Sequence, residues 1–170
     1  YVPEEIVLYD SLSITEYLNF IASVRRIGPE HYVNRVERLM NAFSLKDIAN
    51  DFIGSLSKGN RQKVAIIAAL LPDPPVLILD EPMSSLDPVS ARIFRDLIKD
   101  MSGRGHTVLL STHIMQIAEI LCSYVAILKE GTLIKTLKQS ELKDITLEEE
   151  FLKDIGAEEE IRATLEALKE

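Results

Sequence analysis

The chain has 170 residues, 46% of them hydrophobic and 27% charged, which suits one globular domain with its own core and a small appendage. Its net charge of −8 makes nucleic acid an unfavourable partner, and its apolar runs are too short to span a bilayer. Cys122 is the only cysteine, which excludes an internal disulfide framework and fits a reducing compartment.

The first part of the chain is predicted to be helical. Its opening residues, with Pro3 near the start, are predicted to form a loop. Ser13 and Glu16 have the spacing of a capping box, which predicts the start of a helix. Gly and Pro at 28–29 end that helix and start a second one with apolar residues at helical spacing. We therefore expect 13–53 to form a helical unit without strands.

From Ser57 onward, predicted helices alternate with predicted strands. Ser57 can cap a helix that ends at a proline-rich turn. The run Val76–Leu79 has no polar alternation, which predicts a strand covered on both faces. Asp87 followed by proline predicts the start of another helix, and Thr107–Ser111 is predicted to be a second buried strand. Helices and strands in this order give the α/β class.

The last part of the chain is predicted to contain short elements. A helix is predicted over 114–121, followed by a β-hairpin that turns at 130–131. Thr146 and Glu149 again have capping-box spacing, which predicts a further helix. An apolar stripe over 161–168 extends this acidic, helical tail.

Two carboxylates follow the first predicted strand directly. In parallel α/β sheets, ligands bind beyond the carboxyl ends of the strands. Asp80 there could hold Mg²⁺ through water, and Glu81 could orient or deprotonate a water that attacks a phosphoryl group. The simpler alternative is a pair of solvated acids at a loop entrance, which the buried strand and the following proline make less favourable.

Two other segments could contact phosphate. Ser57, Lys58 and Gly59 open a helix, whose free N–H groups and small hydroxyl suit an anion; the alternative is an ordinary serine cap. His113 follows the second strand and could donate a hydrogen bond to a phosphate oxygen; the alternative is a structural histidine. Both strand ends belong to one sheet edge, so we expect His113 to lie near Asp80.

Four motifs in order resemble those of the ATP-binding cassette (ABC) ATPases. The sequence LSKGNRQ resembles the family's signature sequence, VLILDEP its Walker B strand, SSLDP its D-loop and STH its switch histidine. YVPEE resembles the Q-loop, and LYDSLSITEYLNF the entry to the helical subdomain. The resemblance covers residues 1–136, and LEEEFLKDIG in the tail resembles cassettes of ABC-2 export-type transporters.

The resemblance implies a fold and a division of the chain. The fold would be a partial P-loop NTPase (RecA-like) core of the α/β class, with a helical subdomain and a C-terminal helical tail. The Q-loop region would span 1–12, the helical subdomain 13–55, the ATPase core 56–136 and the tail 137–170.

The resemblance also implies roles at the cassette's own nucleotide. Asp80 would serve Mg²⁺, Glu81 would be the general base and His113 would contact the γ-phosphate of ATP. Glu4 stands where the family has the Q-loop glutamine, so metal contact stays possible while the charge beside Mg²⁺ changes.

Other residues would serve the nucleotide of a partner cassette. Ser57 and Gly59 would contact its γ-phosphate, with Lys58 in place of the commoner glycine, and Asp87 would act across the dimer interface.

One family motif has no counterpart in the sequence. No G-x-x-x-x-G-K-[ST] pattern is present. That loop supplies the backbone cradle, the phosphate lysine and the Mg²⁺ hydroxyl of P-loop sites. We therefore expect that roughly the first third of a cassette is absent and that this chain alone does not hydrolyse ATP.

The implied function of the parent protein is that of an ATP-binding and ATP-hydrolysing subunit that couples cassette dimerisation to transport across a membrane. Its cofactors would be ATP and Mg²⁺. Its partners would be a transmembrane subunit, docked on the helical subdomain and Q-loop, and a second cassette, identical or different. The subunit would be peripheral on the cytoplasmic face of the membrane, and no nucleic acid is expected.

Two other classes stay open. A soluble ABC ATPase without a transport role would carry the same motifs, although the sequence lacks the long coiled coil of chromosome-organising members and its acidic charge disfavours DNA contact. A cassette fragment could instead be a non-catalytic interaction module. The presence of Glu81 and His113 argues against that reading.

Overall fold

The computed structural model describes residues 1–141 and 146–154. The chain divides into two compact units, the first spanning Tyr1–Ser111 and the second beginning at Thr112. The first unit contains α1 (Ile14–Val24), α2 (Pro29–Ala42), α3 (Lys58–Leu70), β1 (Val76–Asp80), α4 (Pro88–Gly103) and β2 (Thr107–Ser111), with single 3₁₀ turns at Lys46–Ile48 and Ile53–Ser55. The second unit contains α5 (Met115–Leu121), β3 (Tyr124–Lys129), β4 (Thr132–Lys138), a 3₁₀ turn at Gln139–Glu141 and α6 (Leu147–Asp154). The apolar stripe predicted over 161–168 lies outside the described residues.

The helical segment, which was predicted over 13–53, begins where its capping signal predicts. The Ser13 side chain accepts a hydrogen bond from Glu16 N at 3.2 Å, and the Glu16 carboxylate accepts one from Ser13 N at 2.8 Å. These bonds satisfy N–H groups that the first turn of α1 leaves without a partner. Buried Ile14 and Leu18 then anchor α1 in the core of the unit. The predicted helical region is confirmed, apart from an isolated β-bridge between Ser13 and Phe52.

Helix α2 is fixed to the end of α3 by one arginine. Both Nε and Nη2 of Arg35 donate to the Leu70 carbonyl, at 3.1 and 2.9 Å, and Nη2 also contacts the Asp73 carboxylate at 2.7 Å. The guanidinium thereby satisfies one of the last carbonyls of α3, which have no partner inside the helix.

Strands β1 and β2 form a parallel pair in which Val76 lies opposite Thr107 and Asp80 opposite Ser111. Val2 pairs with the other edge of β1: its N–H donates to the Ile78 carbonyl, and its carbonyl accepts from Asp80 N, both at 2.9 Å. The loop predicted for the opening residues was therefore wrong at Val2, where an apolar side chain is buried beside β1.

Only one face of this small sheet is covered within the first unit. Leu77 and Leu79 are 0% and 1% exposed, whereas Val76, Ile78 and Leu109 are 54%, 42% and 61% exposed. Neighbouring side chains of a strand point to opposite faces, so the exposed residues share one face. The strands were predicted correctly, but their burial on both faces was not.

The second unit is built around a hairpin. Strands β3 and β4 are antiparallel, and the turn between them has positive φ at Glu130 (50°) and Gly131 (76°), as a type I′ turn requires. Helix α6 starts with the predicted capping box, in which Thr146 N donates to Glu149 at 2.9 Å. Its small core consists of Ala118, Ile127, Leu137 and Leu147.

Candidate functional site

The carboxyl ends of β1 and β2 bring three of the polar groups together. The Ser111 hydroxyl donates to the Asp80 carboxylate, and Glu81 N donates to the Ser111 carbonyl at 3.1 Å. Asp80 and Ser111 lie opposite each other in the register and therefore on the same face as Ile78 and Leu109, the open one. A ligand can thus reach the end of the strands from that side.

Glu81 has a backbone conformation that is uncommon for its residue type. Its φ is 42°, in the left-handed region that residues other than glycine, Asn and Asp seldom adopt. The turn that follows holds it there, because the Glu81 carbonyl accepts bonds from Ser84 N at 3.3 Å and from the Ser84 hydroxyl at 3.1 Å. Strain that the surrounding structure maintains is typical of functional sites.

Glu4 is placed at the same end of the sheet by the pairing of Val2. The bridge between Val2 and Leu79 is parallel, so the chain after Val2 runs in the same direction as the chain after Leu79. Glu4 is exposed. The backbone thus directs this residue and Asp80 towards one edge.

Asp87 is bound by three groups of its own chain. Its carboxylate accepts bonds from Ser90 N at 2.9 Å and from the Ser90 hydroxyl at 2.7 Å, and the Lys63 ammonium lies 2.7 Å away. The bond from Lys63, followed by those from Ser90, holds the pKa of the Asp87 carboxyl well below its usual range. The predicted helix cap is confirmed, and the side chain is an anion with both oxygens engaged.

The start of α3 lies against the turn that links β1 to α4. Ser57 caps the helix by accepting a bond from Asn60 N at 3.3 Å, and both Ser57 and Lys58 are exposed. A Cβ atom on Gly59 would stand 2.8 Å from the Ser85 carbonyl oxygen, closer than real Cβ contacts allow. The glycine is therefore needed for packing against this turn, whatever else it contacts.

The sequence did not predict the contacts of two polar residues of α3. The Gln62 side chain, 1% exposed, donates to the Pro82 carbonyl at 3.1 Å, and Lys63 pairs with Asp87. Gln62 and Lys63 follow Gly59 by three and four residues, and residues at this spacing share one face of a helix. This spacing could have indicated that they contact the same turn.

His113 lies in the second unit, where it is exposed and precedes α5. Next to it, Ile114 N donates to the Thr112 hydroxyl at 3.1 Å. The predicted approach of His113 to Asp80 stays a prediction.

The strand end suits a hydrated metal ion better than a closed metal site. Among residues 1–141 and 146–154, no group of three His, Cys, Asp or Glu side chains is placed to hold an ion. Mg²⁺ needs no such group, because it binds to one or two carboxylates and completes its shell with water and phosphate oxygens. The oxygen atoms of Asp80 and Ser111 fit that chemistry.

Comparisons with known proteins find one family model, several relatives and a solved structure that are similar to this chain. The family model described as "AAA domain, putative AbiEii toxin, Type IV TA system" matches residues 11–119. The chain is 32% identical over 145 residues to the uncharacterised ABC transporter ATP-binding protein YthP of Bacillus subtilis, a match that covers 85% of this chain and 60% of YthP. A solved structure of the ATP-binding subunit of an ABC transporter matches with a TM-score of 0.86 at 32% identity, over 91% of this chain and 67% of that one.

The chain belongs to the ABC ATPases.

Other relatives extend this assignment. The chain is 36% identical to the ABC transporter ATP-binding protein NatA of Bacillus subtilis, over 75% of this chain and 52% of NatA. It is 37% identical to the fluoroquinolones export ATP-binding protein MT2762 of Mycobacterium tuberculosis, over 79% of this chain and 44% of that protein. It thus spans only part of these relatives. The predicted fold class, a partial P-loop NTPase core of the α/β type, is confirmed.

Within the part of the cassette that the structure describes, no helix has the length and hydrophobicity needed to cross a lipid bilayer.

Proposed function

We propose that this chain forms part of an ATP-hydrolysing subunit that drives an ABC transporter. One observation carries the proposal: three segments are held together within one compact unit. They are the first half of α3, the Asp80-Glu81 strand end and the Asp87 cap. These are the segments that carry the signature, Walker B and D-loop resemblances. Relatives named as ABC transporter ATP-binding proteins support the same assignment.

The residues at the end of β1 would act on the cassette's own nucleotide. Asp80 and Glu4 would hold Mg²⁺, which would supply charge neutralisation at the phosphates of ATP. Glu81 would accept a proton from the attacking water, and the turn that fixes its backbone would keep its carboxylate oriented for that transfer. His113 would donate a hydrogen bond to the γ-phosphate.

The start of α3 would act on the nucleotide of a second cassette. Ser57 and Lys58 are exposed at a helix N-terminus, where N–H groups and the helix dipole favour an anion. Gly59 would let the backbone approach the phosphate, and Asp87 would lie at the interface between the two cassettes.

The helical subdomain, 13–55, would dock a transmembrane subunit. It carries a largely apolar cavity of about 260 Å³ lined by residues of α1, α2 and the 3₁₀ turn that follows, among them Leu18, Tyr32, Val36 and Met40. Apolar concavities of this kind suit an inserted partner side chain. The relative named for fluoroquinolone export supports an exporter as the partner.

Purification of the complete polypeptide from its native membrane, without and with Mg²⁺-ATP, tests this function. We expect a transmembrane subunit to co-purify and ATP turnover to require Mg²⁺, whereas the 170-residue chain alone should turn over no ATP because it has no P-loop. Recovery of an active ATPase without any transmembrane subunit would favour the soluble class. A complete polypeptide that neither binds nor hydrolyses ATP would favour the interaction module.

A further inference from the structure

One face of α3 contacts the turn between β1 and α4 at three successive points. Gly59, Gln62 and Lys63 follow each other at helical spacing, and we call them the α3 contact face. They meet Ser85, Pro82 and Asp87 respectively. The segment 82–87, called here the 82–87 turn, is therefore held along its whole length by a single helix.

The central contact is buried. Gln62 is 1% exposed, and its side-chain N–H donates to the Pro82 carbonyl at 3.1 Å. Proline cannot continue the backbone bonding of β1 through an N–H of its own, so this amide fixes the residue directly after Glu81. Breaking a buried bond of this kind leaves a polar group without a partner, which costs more than the bond itself contributes.

The contact with Asp87 is charged and partly shielded. The Lys63 side chain is 12% exposed and its ammonium lies 2.7 Å from Asp87. The Asp87 carboxylate also caps α4, so Lys63 fixes the point where the 82–87 turn enters that helix. An ion pair with one largely buried partner holds its geometry better than a fully exposed pair.

The other side of α3 is attached to the helical segment and to the loop that precedes it. Arg61 contacts the Asp10 carboxylate at 2.6 Å and the Ile53 carbonyl at 3.0 Å. Arg35 of α2 binds the carbonyl of Leu70 at the far end of α3. Helix α3 thus joins the helical segment on one side to the 82–87 turn on the other.

We propose that Gln62 and Lys63 are positioning residues, which hold the 82–87 turn so that a displacement of the helical segment moves Glu81 and Asp87 with α3. The inference rests on the proposed ATPase function. It assigns to α3 a second role, separate from the contact of its N-terminus with nucleotide. Because packed elements shift as units, a small movement of α3 would change the geometry at both ends of the turn.

The test compares ATP turnover of the complete polypeptide with Lys63→Met, Lys63→Arg, Asp87→Asn and the double variant Lys63→Met/Asp87→Asn. We expect Lys63→Met to lower kcat about tenfold with KM for ATP nearly unchanged, since it misplaces catalytic groups without removing them. Lys63→Arg should retain kcat, and the double variant should be no slower than Asp87→Asn alone. The control is Arg92→Met, which breaks the exposed Arg92–Asp96 pair and should change nothing.

Amide hydrogen exchange of the 170-residue chain supplies a readout independent of ATP. Ser84 N donates to the Glu81 carbonyl and Leu86 N to the Met83 carbonyl, so both amides report on the 82–87 turn. Both should exchange about tenfold faster in Lys63→Met while amides in the middle of α4 keep their rates, because local opening is separable from global unfolding.

Three outcomes would overturn the inference. The first is an unchanged kcat in Lys63→Met. The second is a double variant whose reduction in kcat equals the product of the two single reductions. The third is faster amide exchange that is spread equally over α4. If the unsubstituted complete polypeptide turns over no ATP, the proposed ATPase function fails, and the inference fails with it. If Glu81→Gln abolishes turnover and Lys63→Met does not lower it, only the inference about positioning fails.

Discussion

Single residues at the candidate site are determined by contacts within the chain as well as by any ligand. Asp87 stands at the position of the aspartate in the segment that resembles a D-loop, yet its carboxylate also caps α4 and pairs with Lys63. Gly59 lies in the segment that resembles the signature sequence, yet a side chain at this position would collide with the Ser85 carbonyl. Substitution of either residue therefore changes the fold locally, and a loss of activity alone would not establish contact with nucleotide.

Asp87→Ala should destabilise the chain in a pH-dependent way. Loss of a helix cap costs about 1–2 kcal/mol at pH 7. The pKa of Asp87 is lowered in the folded chain, so its charge stabilises the fold above the unfolded pKa of about 3.9. This contribution is lost as the pH falls below that value towards the folded pKa. Urea unfolding of the unsubstituted chain and of Asp87→Ala, at about pH 7 and about pH 3, measures this effect. The difference in the free energy of unfolding between the two proteins should be smaller at the lower pH.

The matched control for that measurement is Asp96→Ala, since Asp96 pairs with Arg92 on the exposed face of the same helix. We expect a change below about 0.5 kcal/mol at either pH. An Asp87→Ala effect that is equally small, or one that grows on acidification, would contradict the assigned cap and ion pair.

Two glycines of the first unit should respond in opposite ways to alanine. Gly59→Ala places a methyl group 2.8 Å from a backbone oxygen, so it should lower the free energy of unfolding by about 1–3 kcal/mol. Gly103→Ala meets nothing within 4 Å at the end of α4 and should raise it by up to about 1 kcal/mol. Thermal unfolding of both variants checks the prediction, and stabilisation by Gly59→Ala would refute the close packing.

At the scale of elements, the sequence predicted what depends on residues near each other. Both capping boxes, the Asp87 cap and the hairpin turn at Glu130 rest on spacings of four residues or fewer, and all are confirmed. The left-handed φ of Glu81 was not predicted, because it arises from the turn and from the pairing with Ser111.

Burial of the strands could not be predicted in the same way. The apolar run Val76–Leu79 indicates that a strand tolerates cover on both faces, but it does not specify what supplies that cover. Contacts between distant residues were hidden for a similar reason, since Gln62 and Pro82 are 20 residues apart. The approach of His113 to Asp80 depends on how two separate units are arranged.

The two faces of the β1–β2 sheet should differ in their response to truncation. Leu77 is 0% exposed, so Leu77→Ala should cost about 2–5 kcal/mol of stability. Leu109 is 61% exposed on the opposite face, so Leu109→Ala should cost less than about 1 kcal/mol. Urea unfolding of the two variants of the 170-residue chain makes the comparison. Equal costs would mean that the second face is covered in solution.

At the scale of the whole molecule, the chain spans only part of the length of its ABC relatives. It contains the segments that resemble the signature, Walker B, D-loop and switch histidine, and its sequence has no P-loop pattern. Asp80 and Glu81 would serve the nucleotide of their own cassette, whereas Ser57 and Gly59 would serve that of a partner. The α3 contact face joins these two sets of residues through the 82–87 turn.

The measurement that tests this account most directly is ATP turnover by the complete polypeptide carrying Glu81→Gln. The amide keeps the size of the side chain but cannot accept a proton from water, so turnover should fall about 10²-fold or more while ATP binding is retained. Asp96→Asn, which changes an exposed acid of α4 outside the proposed docking segment and site, is the control and should leave both unchanged. Turnover by Glu81→Gln at the rate of the unsubstituted polypeptide would contradict the role of Glu81 as general base.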